Sequence, residues 1–243
     1  MIKINCDIGE RGPDHPVDLE LMNEIHIANI ACGGHAGDEE SVAVFRKLAR
    51  ENNIQVAAHL SYPDRENFGR FSMEISHDKL HASLDEQFAL MPSEKMVKFH
   101  GALYNDSCVD PALAEALTDW LRANGIDRII TPADSALARK CRDANIQVVA
   151  EAFAERRYTY TPAGDALQLV NRSKAYACIH DCDQAVEQTL NIVNNNRIEV
   201  VTESEDNTIS YESVPIEADT VCIHSDSDIS LELAKKLAKI SKQ

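Results

Sequence analysis

Short runs of β-branched and small apolar residues, each followed by a stretch with helical spacing, recur along almost the whole 243-residue chain. The apolar runs are Ile2 to Cys6, Ile27 to Cys32, Ile54 to Ala58, Met96 to Phe99, Ile129 to Thr131, Val148 to Ala150, Ala175 to Ile179 and Thr220 to Ile223. Helical spacing fills Asp38 to Asn52, His77 to Met91, Pro111 to Asn124, Ala133 to Asn145, Asp183 to Asn195 and Ile229 to Ser241. Asp110-Pro111 is a helix start, and Asn124-Gly125 is a natural stop. Neighbouring parallel strands need a connection of helix length, so this alternation predicts parallel pairing through right-handed crossovers. Two architectures meet that demand, an open doubly wound sheet and a closed barrel. An open sheet gathers its site residues at one switch point, whereas a barrel lets every strand deliver one to a common mouth. Here nearly every strand ends on a polar residue. The expectation is one α/β domain over 1–243, a (β/α) barrel of seven or eight strands. The polar stretch from Glu199 to Glu217 is expected to be an exposed excursion or hairpin.

Charge narrows the partners. With 24 basic and 40 acidic residues the net charge is -16, which repels nucleic-acid phosphates and anionic lipid. Neither nucleic-acid binding nor membrane attachment is expected, and there is no apolar run of membrane-spanning length. The opening MIKINCDIGE has no basic leader before an apolar stretch, and the seven cysteines form no CxxC pair. They are expected to be buried thiols of a reducing, cytoplasmic compartment, in a chain that could also self-associate. Neither GxGxxG after the first strand nor GxxxxGK[ST] anywhere supplies a nucleotide-binding motif.

The strand ends carry the chemistry. Asn5 and Asp7 close the first run, His35 and Asp38 follow the second in ACGGHAGD, and His59 ends the third. Lys98 and His100 end the fourth, with Tyr104 just beyond. Glu151 ends the sixth, His180-Asp181 the seventh, and His224 with Asp226 the last. Histidine beside carboxylate exchanges protons near neutral pH, orients water or holds a divalent metal. Asp7, His35 and His59 could ligate such a metal if they converge. The other arrangement, a metal-free hydrogen-bonded mouth with Asp7 as acid or base, is the default because no HExxH or HxxxH face is present. The glycines around His35 permit a tight turn whose helix start would suit an anion, or simply Asp38 as an N-cap. Tyr62, Arg70 and Arg156 lie in loops expected at the mouth, where a guanidinium can grip a carboxylate or phosphate.

INCDIGE, NIACGGHAGD, AAHLSYPD with FGR, KFHGALYN, AEAFAERRY and DTVCIHSD, in this order over essentially the whole chain, resemble the LamB/YcsF family, the A subunits of bacterial 5-oxoprolinase. The resemblance implies an irregular seven-stranded (β/α) barrel related to the glycoside hydrolase and deacetylase barrels. It also implies ATP-dependent cleavage of 5-oxo-L-proline to L-glutamate together with subunits B and C. ATP would be handled with those partners. On this reading Asp7 is a base or positions water, with His35, His59 and His100 stabilising charge. Lys98 would support an oxyanion, and Arg70 and Arg156 would hold the substrate carboxylate or a phosphoryl group. Asn5, Asp38, Tyr62, Tyr104, Glu151 and His224 would complete the binding surface. Two alternatives remain open: a stand-alone metal-dependent hydrolase on another lactam or amide, and a binding subunit without chemistry. The chain departs from the family pattern at Cys6, Gly34, Leu60-Ser61, Phe99, Glu155 and Ser225. Gly34 in place of a bulky residue is expected to widen the mouth.

Overall fold

The computed structural model describes residues 3–161, 166–204 and 208–241. Six of the apolar runs become parallel strands in succession: β1 (Lys3–Ile8), β2 (Ile27–Ala31), β3 (Gln55–Leu60), β4 (Met96–Phe99), β5 (Arg128–Thr131) and β6 (Gln147–Phe153). Helices connect them on the outside: α1 (Pro16–Leu21), α2 (Glu39–Glu51), α3 (His77–Phe88), α4 (Gly101–Val109), α5 (Pro111–Ala123) and α6 (Ala136–Asp143). After β6 the chain leaves the wheel to form β7 (Tyr158–Tyr160), β8 (Leu167–Leu169), α7 (Cys182–Asn195), β9 (Arg197–Glu203) and β10 (Ile209–Pro215). It returns as β11 (Thr220–Ile223) and ends in α8 (Ser230–Ser241). The strand order β1-β11-β6-β5-β4-β3-β2 closes a seven-stranded parallel barrel, and β10-β9-β7-β8 forms a separate four-stranded sheet.

Local chemistry sets the helix ends. The Asp110 carboxylate accepts from the amides of Ala112 and Leu113, ahead of Pro111, and α5 stops at Asn124 before Gly125 with φ +64°. The helix then packs by its apolar stripe. α2 buries Val42, Phe45 and Ala49, at steps of three and four residues, toward the barrel, where each large apolar side chain contributes about 1.5–3 kcal/mol.

Inside the barrel, side chains two residues apart on a strand share a face, and this period sorts the interior into layers. Ile27, Ala57, Met96 and Ile130, with Val149 against them, make an apolar plug at the amino ends of the strands. Two residues further along, the same inward faces carry Asn29, His59, Lys98 and Glu151, all buried. The floor is greasy and the layer above it is polar, which places the chemistry at the carboxyl ends of the strands.

One expected strand is absent. Ala175 to Ile179 makes only an isolated bridge between Arg156 and Cys178. Its amides bond the irregular backbone after β6, with Ile179 N donating to Glu155 O and Arg157 N to Ala177 O, so β6 pairs directly with β11. Alternation alone could not reveal that its hydrogen-bonding partner is a loop. The polar stretch after Glu199 is a hairpin, β9 with β10 antiparallel, as expected. Ile2 and the three residues 205–207 of that stretch lie outside the described residues. Helices α1 and α4 were not anticipated; α4 starts directly after His100 at Gly101, whose φ is +59° and where a Cβ would stand 2.4 Å from the Gly69 carbonyl oxygen.

Candidate active site

The polar layer opens into one cavity of about 820 Å³, a size that suits a small molecule. At its floor lies Lys98, whose ammonium is 3.0 Å from Asp7 Oδ1, 2.9 Å from Glu151 Oε1 and 3.3 Å from Asn5 Oδ1. Burial disfavours a charged lysine, but the carboxylates of Asp7 and Glu151 outweigh it and hold the amine protonated well into the alkaline range. Burial likewise opposes ionisation of Asp7, and His59 and Lys98 overcome it, so Asp7 stays a carboxylate well below the usual range. Asn29 Nδ2 donates to Asp7 Oδ1 and Asn5 Oδ1, both at 2.8 Å. Tyr104 donates to Glu151 Oε2 at 2.8 Å, and burial followed by that carboxylate keeps the phenol protonated.

Beside this floor, Glu10, His35, His59 and His100 bring four potential ligand atoms within 4.8 Å of one another. His59 Nδ1 faces the Lys98 carbonyl at 3.1 Å, and His100 Nε2 faces the Phe68 carbonyl at 3.0 Å. A carbonyl only accepts, so each of these nitrogens carries a proton, which turns the opposite nitrogen of each ring toward the cluster. Those two nitrogens, His59 Nε2 and His100 Nδ1, face each other across 3.0 Å. Glu10 Oε1 joins them at 3.7 Å and 3.3 Å, and lies 2.9 Å from His35 Nε2. Burial disfavours charge on Glu10, but bonds to His100 and His35 override it and keep the carboxyl ionised below its usual range. His35, stacked on His100 at 3.6 Å between centroids, is pushed down to about 3 by burial and is neutral near pH 7. Ring nitrogens facing one another around an anion call for a proton or a cation among them. Ligands about 2.0–2.1 Å from a tetrahedral zinc lie roughly 3.3 Å apart, and the separations here bracket that value, so the donor set fits a divalent ion.

The sequence-predicted residues divide accordingly. Asp7, His59, Arg70, Lys98, His100, Tyr104, Glu151, Arg156 and His224 all line the cavity. His35 packs behind it against His59 and His100. The expected ligand set of Asp7, His35 and His59 is corrected: Glu10 and His100 complete the cluster, while Asp7, 3.3 Å from His59 Nε2, commits its Oδ1 to Lys98 and Asn29. Three residues expected to bind substrate do not reach the cavity. Asp38 is the N-cap of α2, its Oδ1 accepting from Ser41 N at 2.8 Å in a capping box. Tyr62 is buried and donates to Asp106 at 3.1 Å. Asn5 lies beneath the floor, bonded to Thr220, Asn29 and Lys98. Arg70 is half exposed at the rim, 3.3 Å from Asp226. Arg156 is buried and donates to the carbonyls of Ala177 and Val170, which fixes its guanidinium as part of the cavity wall. Gly34 does not widen the mouth. A Cβ there would stand 2.3 Å from Gln87 Oε1 and 2.5 Å from Ser61 Oγ, because Gln87 fills the space and bonds both the amide and the carbonyl of Ser61. Of the departures, Phe99 and Ser225 line the cavity; Cys6, Gly34, Leu60, Ser61 and Glu155 do not. Glu10 was overlooked although it ends the INCDIGE string. The signal was Gly9, whose φ of +78° turns the chain just past β1 and ahead of the carboxylate.

The LamB/YcsF family model matches residues 2–243. This chain belongs to the LamB/YcsF family. Similarity to LamB/YcsF relatives runs the full length. The chain is 34% identical over 255 residues to a Pseudomonas syringae pv. tomato protein named as an A subunit of 5-oxoprolinase, covering 100% of this chain and 94% of that one. It is 36% identical over 248 residues to the 5-oxoprolinase A subunit of Oceanobacillus iheyensis, covering 98% and 91%. Among solved structures, the lactam utilization protein of Thermus thermophilus superposes with a TM-score of 0.81 at 28% identity, over 100% of this chain and 96% of its own. The same closed barrel therefore underlies both proteins.

Proposed function

We propose that this chain opens the ring of 5-oxo-L-proline, giving L-glutamate, as the A subunit of an ATP-dependent 5-oxoprolinase acting with subunits B and C. The observation that carries the reading is the meeting of Lys98, Asp7 and the Glu10–histidine cluster at one cavity, in a chain resembling proteins of that name over its whole length. A lactam amide is a poor electrophile, and phosphorylating its oxygen turns that oxygen into a leaving group. The chain has no P-loop or dinucleotide motif, so ATP is handled with the partner subunits.

The residues then have distinct work. Lys98, fixed by two carboxylates, presents a pre-set positive charge to the oxygen on which negative charge develops. Asp7, 8% exposed and fixed by Asn29 and Lys98, orients the attacking water. Arg156 at the wall holds the substrate carboxylate. Glu10, His35, His59 and His100 would hold a divalent ion, which polarises a carbonyl and lowers the pKa of water when bound.

The test is purified chain assayed with and without subunits B and C for 5-oxoproline-dependent formation of ADP and glutamate. Glutamate is expected only with all three present, and Asp7→Asn should lower kcat at least about 100-fold. Full activity of Asp7→Asn would remove Asp7 from the chemistry. A second reading, a stand-alone metal-dependent amide hydrolase, draws support from the converging ring nitrogens. ATP-independent hydrolysis by the isolated, metal-loaded chain would favour it.

A further inference from the structure

Three histidines line the cavity, His59, His100 and His224, and the first two belong to the Glu10 cluster. His224 stands apart at the end of β11. Its Nδ1 lies 2.7 Å from Glu155 Oε1, and its backbone amide donates to the same oxygen at 2.7 Å. Its ring stacks on Phe153 at 5.3 Å between centroids with planes 15° apart. Glu155 is 2% exposed, and its own carbonyl accepts from Ile179 N, so the carboxylate has no freedom to leave. A carboxylate on Nδ1 fixes the tautomer and ring orientation, and it directs Nε2 away from itself. Among the described residues, nothing hydrogen-bonds to that Nε2. The other carboxylate oxygen, Glu155 Oε2, is buried without a partner among the described residues, so the His224 ring and amide are the groups this carboxylate serves. An oriented, stacked histidine with one bare edge toward a cavity, backed by a buried acid, is the arrangement of a proton donor rather than of a structural cap.

The geometry points to His224 as the general acid that protonates the leaving ring nitrogen, with Glu155 as the residue that positions it. This role rests on the ring-opening reading above and supplies the proton that the departing nitrogen needs. The oxygen of water bonds to the ring carbonyl carbon and the water gives up one proton. The C–N bond breaks with its electron pair remaining on nitrogen, and that nitrogen takes the Nε2 proton of the His224 imidazolium. The neutral imidazole regains a proton released by water; on the phosphorylated lactam this step leaves an acyl phosphate, which a second water cleaves to the acid and inorganic phosphate. Expelling an unprotonated amide anion is far harder than expelling an alkoxide, so this proton matters for a lactam and much less for a lactone. The charged groups around the ring are Glu155 from the β6 end, Asp7 from β1, whose ionisation His224 favours, and Lys98 from β4, which lies 5.5 Å from the centre of the Phe153 ring.

The experiment uses the full chain with subunits B and C and ATP, on 5-oxoproline and on the γ-lactone acid with oxygen in place of the ring NH. In His224→Asn and His224→Gln, kcat on the lactam is expected to fall about 100- to 10,000-fold and kcat on the lactone less than about tenfold. Glu155→Gln should show the same lactam-specific loss at smaller size, because a bond to Nδ1 remains while the charge is gone. Misfolding lowers both substrates alike, so the lactam-to-lactone ratio isolates the proton step. A wild-type complex active on the lactam, with variants that lose nothing or lose equally on both substrates, overturns the role of His224 alone. A wild-type complex inactive on both overturns the ring-opening reading and this inference with it.

Discussion

Lys98→Met asks what one buried charge does for the whole barrel. Methionine has nearly the length of the lysine stem, so the substitution removes the ammonium with little change of volume. It leaves Asp7 and Glu151, 8% and 2% exposed, facing each other's surroundings without the cation that lay 3.0 Å and 2.9 Å from them. Breaking a buried pair by removing one partner costs about 3–5 kcal/mol, because an uncompensated charge stays behind. For a chain of this size each kcal/mol moves Tm by about 2–4 °C, so a fall of roughly 6–20 °C is expected near pH 7.5. The loss depends on pH in a definite direction. In the wild type Asp7 is depressed below its unfolded value, so its contribution is present at neutral pH and is lost only as pH falls through the folded pKa. In Lys98→Met one of the groups that hold Asp7 down is gone, burial is less opposed, and the Asp7 carboxyl moves up relative to wild type. The deficit of the variant relative to wild type is therefore expected to narrow as pH falls from about 8 to about 5.5. Differential scanning calorimetry of both proteins across that range is the assay. A Tm within 2 °C of wild type at every pH, taking ~2 °C as under one kcal/mol, would show that the ammonium does not hold the two carboxylates together.

Two further outcomes follow from the packing and the ligand geometry. Gly34→Ala should displace Gln87 from the Ser61 backbone at a cost of about 1–3 kcal/mol in urea denaturation, and its effect should largely vanish in a Gln87→Ala background. Strict additivity of the two substitutions would mean that Gln87 does not fill the Gly34 space. Protein dialysed against zinc should retain about one ion per chain by elemental analysis, and Glu10→Gln with His59→Ala should lose it, whereas Asp7→Asn should keep it. Retention by the double variant would place the ion elsewhere.

The barrel was legible because two periodicities act at once: small apolar residues every second position inside, and apolar stripes three and four apart on the helices. The interior layers could be read in the same way, since Ile27 and Asn29, Ala57 and His59, Met96 and Lys98, and Val149 and Glu151 repeat one change from grease to polarity. Where pattern failed, the missing information was about partners. Ala175 to Ile179 looks like a strand, and only the structure shows that its amides bond a loop. Asp38 has the chemistry of an anion site and the position of an N-cap, and the free amide of Ser41 claimed it. Glu10 lies one residue past a left-handed glycine, where alternation stops predicting which way a side chain points. Glu155 and Gln87 meet partners distant in sequence, His224 and Ser61, and no local pattern reveals those contacts.

The chain leaves the barrel once, between β6 and β11, and what it builds there is a second sheet whose strands β7, β8 and β9 supply part of the cavity wall. The groups proposed to react sit at the carboxyl ends of the barrel strands, and the far wall belongs to a detour that leaves after β6 and returns at β11. Insertions, deletions and exchanges in that detour can reshape what enters without disturbing the register of a single barrel strand. Selectivity and chemistry are therefore free to diverge at different speeds within one fold.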